Sequence, residues 1–203
     1  MEKIDVKYLN GENFYKITDI NGKIIQDLTN YNGLVKEYYE DNWLKFEGEF
    51  LSGKRNGKGK EYNDDGTLKF EGEYLKGKRN GKGKQYHYNG KLKSEAEYLN
   101  GQRNGKGKEY YDDGKLEFEG EYLNGERHGK GKEYYANGEL KFKGEYLYGE
   151  KNGEAKEYYD NGELKFKGEY FKRKKFKQKA RKKENQRVKK GKKVYQIKNQ
   201  WKK

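Results

Sequence analysis

Two histidines, His87 and His128, are the imidazoles this chain offers for acid–base or metal chemistry, and they stand 41 residues apart. The absence of cysteine removes thiolate nucleophiles, disulfides and Cys-ligated zinc. The segment Gly77-Lys78-Arg79-Asn80-Gly81-Lys82 resembles a phosphate loop, but it has three residues between its glycines where that loop needs four, and no Ser or Thr follows the lysine. No catalytic residue, metal site, cofactor or small-molecule substrate is therefore expected, and the chain reads as a non-enzyme.

The elements carrying these residues explain the spacing. From Phe46 to Lys165 a block of 24 residues is written five times. Gly57, Gly81, Gly105, Gly129 and Gly153 share one phase, and Gly66, Gly90, Gly114, Gly138 and Gly162 another. Such repetition means one supersecondary unit copied in tandem. The two histidines fall at different phases and so build no common site.

Asp65-Gly66, Asn89-Gly90, Asp113-Gly114, Asn137-Gly138 and Asn161-Gly162 carry the residues of a two-residue type I′ hairpin turn. Counting outward from Asp65-Gly66 predicts Asn63 opposite Leu68, Glu61 opposite Phe70, Gly59 opposite Gly72 and Gly57 opposite Tyr74 on a face of rings over glycine. The opposite face pairs Tyr62 with Lys69, Lys60 with Glu71 and Lys58 with Glu73, a charge ladder. Toward the C-terminus the ladder meets like charges, Lys132 with Lys143, Lys156 with Lys167 and Glu154 with Glu169, so those units are expected to be the least stable. The fold expected is all-β: an elongated single-layer antiparallel sheet of 24-residue hairpins. Residues 1–32 read as a degenerate cap, 33–171 as the array and 172–203 as a basic, partly helical or disordered tail.

The ring row Phe46, Phe50, Phe70, Tyr74, Tyr98, Phe118, Tyr122, Phe142, Tyr146, Phe166 and Tyr170 packs each hairpin. In a single layer it also offers an apolar strip for a partner protein. Ser94 interrupts the row, so the middle unit should bind least. Arg55, Arg79, Arg103, Arg127 and Lys151 recur near the turns and read as solubility devices rather than a track for an anionic polymer.

The formal charge of +14 is unevenly placed. Residues 172–203 hold 17 Lys or Arg against Glu184 alone, leaving the rest of the chain near neutral. Lys172, Arg173, Lys174, Lys175, Lys182, Lys183, Lys189, Lys190, Lys192 and Lys193, with Trp201 to stack or insert, are the candidate anion-binding residues. They offer a second reading, in which the tail engages RNA, DNA or anionic lipid. No apolar run reaches signal-peptide or membrane-span length, and a soluble cytoplasmic protein is expected.

Phe70-Glu71-Gly72-Glu73-Tyr74, Gly77, Gly81-Lys82-Gly83 and Tyr86 resemble the MORN repeat (membrane occupation and recognition nexus), a likeness that extends from about Gly33 to Tyr170. The Asn-Gly spacing is similar to that of the bacterial variant often labelled antitoxin-like. The resemblance implies a twisted single-layer sheet of hairpins that scaffolds partner proteins, with an aromatic-lined groove that accepts a peptide or helix and an inhibitor of an effector as its specific version. It attaches phospholipid binding to the family without a residue signature here. The lipid kinase domain of some members finds no room in 203 residues.

Overall fold

The computed structural model describes residues 16–19, 21–25, 28–39, 42–171 and 174–177. These form one open antiparallel sheet of 14 strands whose spatial order is the chain order. After β1 (Lys16–Asp19) and β2 (Gly33–Tyr38) come the ring-bearing strands β3 (Leu44–Leu51), β5 (Leu68–Leu75), β7 (Leu92–Leu99), β9 (Leu116–Leu123), β11 (Leu140–Leu147) and β13 (Leu164–Phe171). Between them lie the glycine–lysine strands β4 (Lys54–Tyr62), β6 (Lys78–Tyr86), β8 (Gln102–Tyr110), β10 (Glu126–Tyr134) and β12 (Glu150–Tyr158). Strict alternation of ring or glycine with Lys or Glu, and a chain without proline, favour strands throughout. The described residues contain no helix. The final strand β14 (Lys174–Lys177) pairs with β13 and lies within the segment read as tail.

The expected register holds, with Glu61 opposite Phe70, Gly59 opposite Gly72 and Gly57 opposite Tyr74. The turn type does not. Gly66 has φ +81° while Asp65 stays at negative φ, and the Gly66 N–H donates to the Asn63 carbonyl at 3.0 Å. This is a type I turn closed by a left-handed glycine, and its extra residue makes Lys69 a bulge, so Tyr62 pairs with Leu68. The type I′ turns sit at the other end of the hairpins. Ser52-Gly53, Lys76-Gly77, Asn100-Gly101, Asn124-Gly125 and Tyr148-Gly149 have positive φ at both central positions.

Rings alternate with glycines for a steric reason. A Cβ built on Gly59 would stand 2.5 Å from the Phe46 ring, and one on Gly131 would stand 2.8 Å from Phe118. Gly105 has a different reason. It sits in a bulge at φ +107°, and its Cβ would run into the Glu97 carboxylate rather than Tyr122.

The rings touch edge-on in two runs, from Phe50 through Phe46, Tyr74 and Phe70 to Tyr98, and from Tyr122 through Phe118, Tyr146 and Phe142 to Tyr170 and Phe166. These runs are the two hydrophobic cores. Ile17, Ile25, Leu28 and Val35 extend the first core at the N-terminal end.

Candidate functional site

The ring face is closed by its own side chains. The Arg79 guanidinium lies 3.9 Å above the Phe70 ring, Arg55 4.2 Å above Phe46, Arg127 4.0 Å above Phe118, and the Lys151 ammonium 4.1 Å above Phe142. Beneath each cation is a carboxylate that also takes a tyrosine hydroxyl. Glu61 accepts from Tyr74 at 2.6 Å and from Arg79 at 2.6 Å, and Glu133 accepts from Tyr146 at 2.8 Å and from Arg127 at 3.0 Å. Burial alone would raise the Glu61 carboxyl, but hydrogen bonds and charge from Arg79, with the Tyr74 bond, hold it below its ordinary 4.5. The turn cations are thus lids on the core rather than solubility devices.

Consequently the strip expected to meet a partner is not exposed. Phe46, Phe70, Phe118 and Phe142 are fully buried, and Phe50, Tyr74, Tyr98, Tyr122, Tyr146, Phe166 and Tyr170 are each at most 7% exposed. In a single layer, rings that pack edge-on and carry a guanidinium above and glycine below need no second layer.

The open surface is the opposite face. Its floor is the backbone of Gly48, Gly59, Gly72, Gly83, Ala96, Gly107, Gly120, Gly131, Gly144, Ala155 and Gly168, whose missing or small side chains belong to the ring side. Lys and Glu side chains rise on both sides of that floor. The result is a groove running from Leu34 to Glu169, enclosing about 1220 Å³ between Lys82 and Glu169. One wall runs Glu73, Lys82, Glu97, Lys106, Glu121, Lys130 and then Glu145, Glu154, Glu169. The other runs Glu71, Lys84, Glu95, Lys108, Glu119 and then Lys132, Lys143, Lys156, Lys167. The walls alternate in sign for most of their length and separate into an acidic and a basic side over the last strands.

Beyond the first wall stand Leu51, Leu75, Leu99, Leu123, Leu147 and Phe171, 36–56% exposed and one per unit. Sequence reasoning passed over this row, although its 24-residue phase is as regular as that of the glycines. It likewise missed Glu61, Glu109 and Glu133, because their roles depend on cations 18 residues later, Arg79, Arg127 and Lys151, two strands away.

Each histidine makes a contact within the repeat. His87 Nε2 donates to the Tyr110 carbonyl at 3.0 Å, the place where Tyr111 and Tyr135 donate their hydroxyls to Tyr134 and Tyr158. His128 lies edge-on to Tyr148. Among the described residues no acidic, His or Cys cluster could hold a metal, and no helix is long and apolar enough to cross a membrane. Lys174 and Lys175 fall on β14, while Lys172, Arg173, Lys182, Lys183, Lys189, Lys190, Lys192, Lys193 and Trp201 lie outside the described residues.

Family models agree with the repeat. The MORN repeat matches residues 46–68 and 118–139, and the MORN repeat variant matches residues 31–51, 79–100, 103–124 and 151–172. No curated protein matches the chain. Each matched segment falls on the strands and turns described above, and together they take in more than half of the sequence, so the chain belongs to the MORN-repeat family.

Proposed function

We propose that this protein is a non-enzymatic scaffold that holds a partner protein along the glycine-floored groove rather than on the ring face. The observation that carries this reading is the pairing of a groove continuous over the units with an exposed apolar row beside it, while the rings are committed to the core. Walls of alternating sign with an apolar margin suit a polypeptide that offers both charge and hydrophobic side chains. They suit a uniformly charged polymer less. Inhibition of an effector, the role attached to the antitoxin-like variant, is the specific form such a scaffold would take.

A photo-crosslinker placed at Lys106, on the groove wall, should trap a partner, whereas the same group at Asp112, on an exposed turn, should not. Equal adducts at both positions, or none at Lys106, would overturn the groove. The tail supports the second reading, in which its charge draws the protein to nucleic acid or an anionic membrane. Deleting 172–203 separates the two readings: a groove scaffold keeps its partner, while a tail-driven binder loses both binding and its steep salt dependence.

A further inference from the structure

Four successive units hold a carboxylate between a tyrosine and a lysine on the groove face. The Tyr62 hydroxyl donates to Glu47 at 2.7 Å, Tyr86 to Glu71 at 2.5 Å, Tyr110 to Glu95 at 2.8 Å and Tyr134 to Glu119 at 2.9 Å. A lysine stands across the ladder from each glutamate. Lys60 is in register with Glu47, Lys84 lies 3.9 Å from Glu71, Lys108 3.5 Å from Glu95 and Lys132 2.6 Å from Glu119.

One period further on, the donors remain and the acceptor is gone. Tyr158 and Lys156 occupy the donor positions, but the residue facing them is Lys143. Lys143, Lys156 and Lys167 follow one another across three adjacent strands, with like charges directly opposite. Among the described residues no carboxylate accepts from Tyr158 and none pairs with these three lysines. The first four units supply a carboxylate to this donor set, and in the fifth no described residue does so.

We propose that this end of the groove receives the acidic side chains of a partner protein, a partner carboxylate lying among Tyr158, Lys143, Lys156 and Lys167 where Glu119 lies one unit earlier. The proposal rests on the scaffold reading and names the chemistry of its partner. Glu145, Glu154 and Glu169 form the facing wall, about 7 Å away along each strand. They repel a chain charged on both edges, such as a phosphodiester backbone, and admit a segment whose acids lie on one edge.

The test titrates the full chain against a fluorescein-labelled peptide of alternating Glu and Ser, whose acids share one edge when extended, and reads anisotropy. Lys143→Glu supplies the absent carboxylate in cis and should weaken the peptide about tenfold. Tyr158→Phe should weaken it about threefold. Lys54→Glu, an equal charge change on β4, seven strands away, should leave affinity within about twofold, so that attraction by the tail cancels in the comparison.

Equal weakening by Lys143→Glu and Lys54→Glu would overturn the site, as would an oligothymidylate that competes better than the peptide and is lost on Lys143→Glu. Lys143→Glu should also raise the melting temperature by giving Tyr158 an acceptor. A lowered melting temperature with undiminished peptide binding would overturn the template argument. Adducts from Lys106 that persist unchanged in Lys143→Glu, together with unweakened peptide binding, remove the acidic site and leave the scaffold. Absence of groove adducts, with the peptide behaving as expected, removes the scaffold and leaves the site.

Discussion

The unit around Phe118 and the unit around Ser94 share a backbone and differ in their interior. Phe118 is fully buried, edge-on to Tyr122 at 5.6 Å and Tyr146 at 5.6 Å, with Arg127 above it. At the equivalent position the Ser94 hydroxyl donates to Gln85 at 3.0 Å and lies beside Tyr98, and Gln85 stands where other units have Glu61, Glu109 or Glu133. Among the described residues the buried Tyr98 and Tyr122 hydroxyls make no hydrogen bond of good geometry, although Ser94 and Glu109 stand beside them, and the two runs of rings meet at this seam without touching. Register nevertheless runs through unchanged, with Gly83 opposite Ala96 and Ala96 opposite Gly107. Turns and bulges therefore set strand pairing on their own, while the side-chain interior is a separate layer of order that can be cut without cutting the sheet.

The largest expected effect tests that separation. Phe118→Ala should cost about 3–5 kcal/mol in denaturant unfolding, and Ser94→Ala under about 1 kcal/mol; equal losses would erase the difference between the units.

Repairing the seam comes next. Ser94→Phe alone meets Ala96, because in the regular unit the Phe70 ring reaches to 2.7 Å from where a Cβ on Gly72 would stand. The pair Ser94→Phe with Ala96→Gly should instead stabilise by about 2 kcal/mol and merge two unfolding transitions into one, read by calorimetry. Additive single effects would show that the ring and the small residue are not coupled.

A smaller gain, about 1 kcal/mol, is expected of Gln85→Glu, which gives Tyr98 the acceptor that Glu61 gives Tyr74. An unchanged melting temperature would place the weakness of the seam in lost ring contacts alone.

The least effect is on pH dependence. Burial opposes ionisation of Glu61 and Glu109, yet their arginine partners hold both below 4.5, so the stability they contribute is present above that value and is lost as pH falls through the lower folded values. Gln85 does not titrate. The Gln85→Glu chain should therefore lose stability more steeply below pH 4.5 than the parent, and parallel acid profiles would exclude an ionised carboxylate in the seam.

Period, pairing and charge ladder were legible because they depend on residues close in sequence and on the two-residue alternation of strands. Asp65-Gly66 misled because one dipeptide serves both a type I′ turn and a left-handed glycine after a type I turn. Lys76-Gly77 and Ser52-Gly53 hold the I′ geometry without the usual asparagine. The like-charge pairs Lys132 with Lys143 and Lys156 with Lys167 appear in register as counted. What alternation cannot reveal is which face closes. Phe70 and Glu71 differ by one position, and only Arg79, lying over Phe70 from the next strand and anchored by Glu61 two strands from its own, makes the ring side the interior. The groove and its leucine margin follow from that closure, and so could not be read from strand counting.

The chain-ordered sheet also governs how the molecule bears load. Each strand is hydrogen-bonded only to its predecessor and its successor, and the first and last strands lie at opposite edges. Tension applied through the termini therefore acts across the strands and opens the ladder one rung at a time, rather than shearing many bonds together. Extension should proceed at low force in steps of one 24-residue unit, about 80 Å of released chain each. An interior tear would be expected to begin at Ser94, where no ring bridges the gap between the strands. In this geometry the protein is a ribbon that yields in stages and can close again unit by unit.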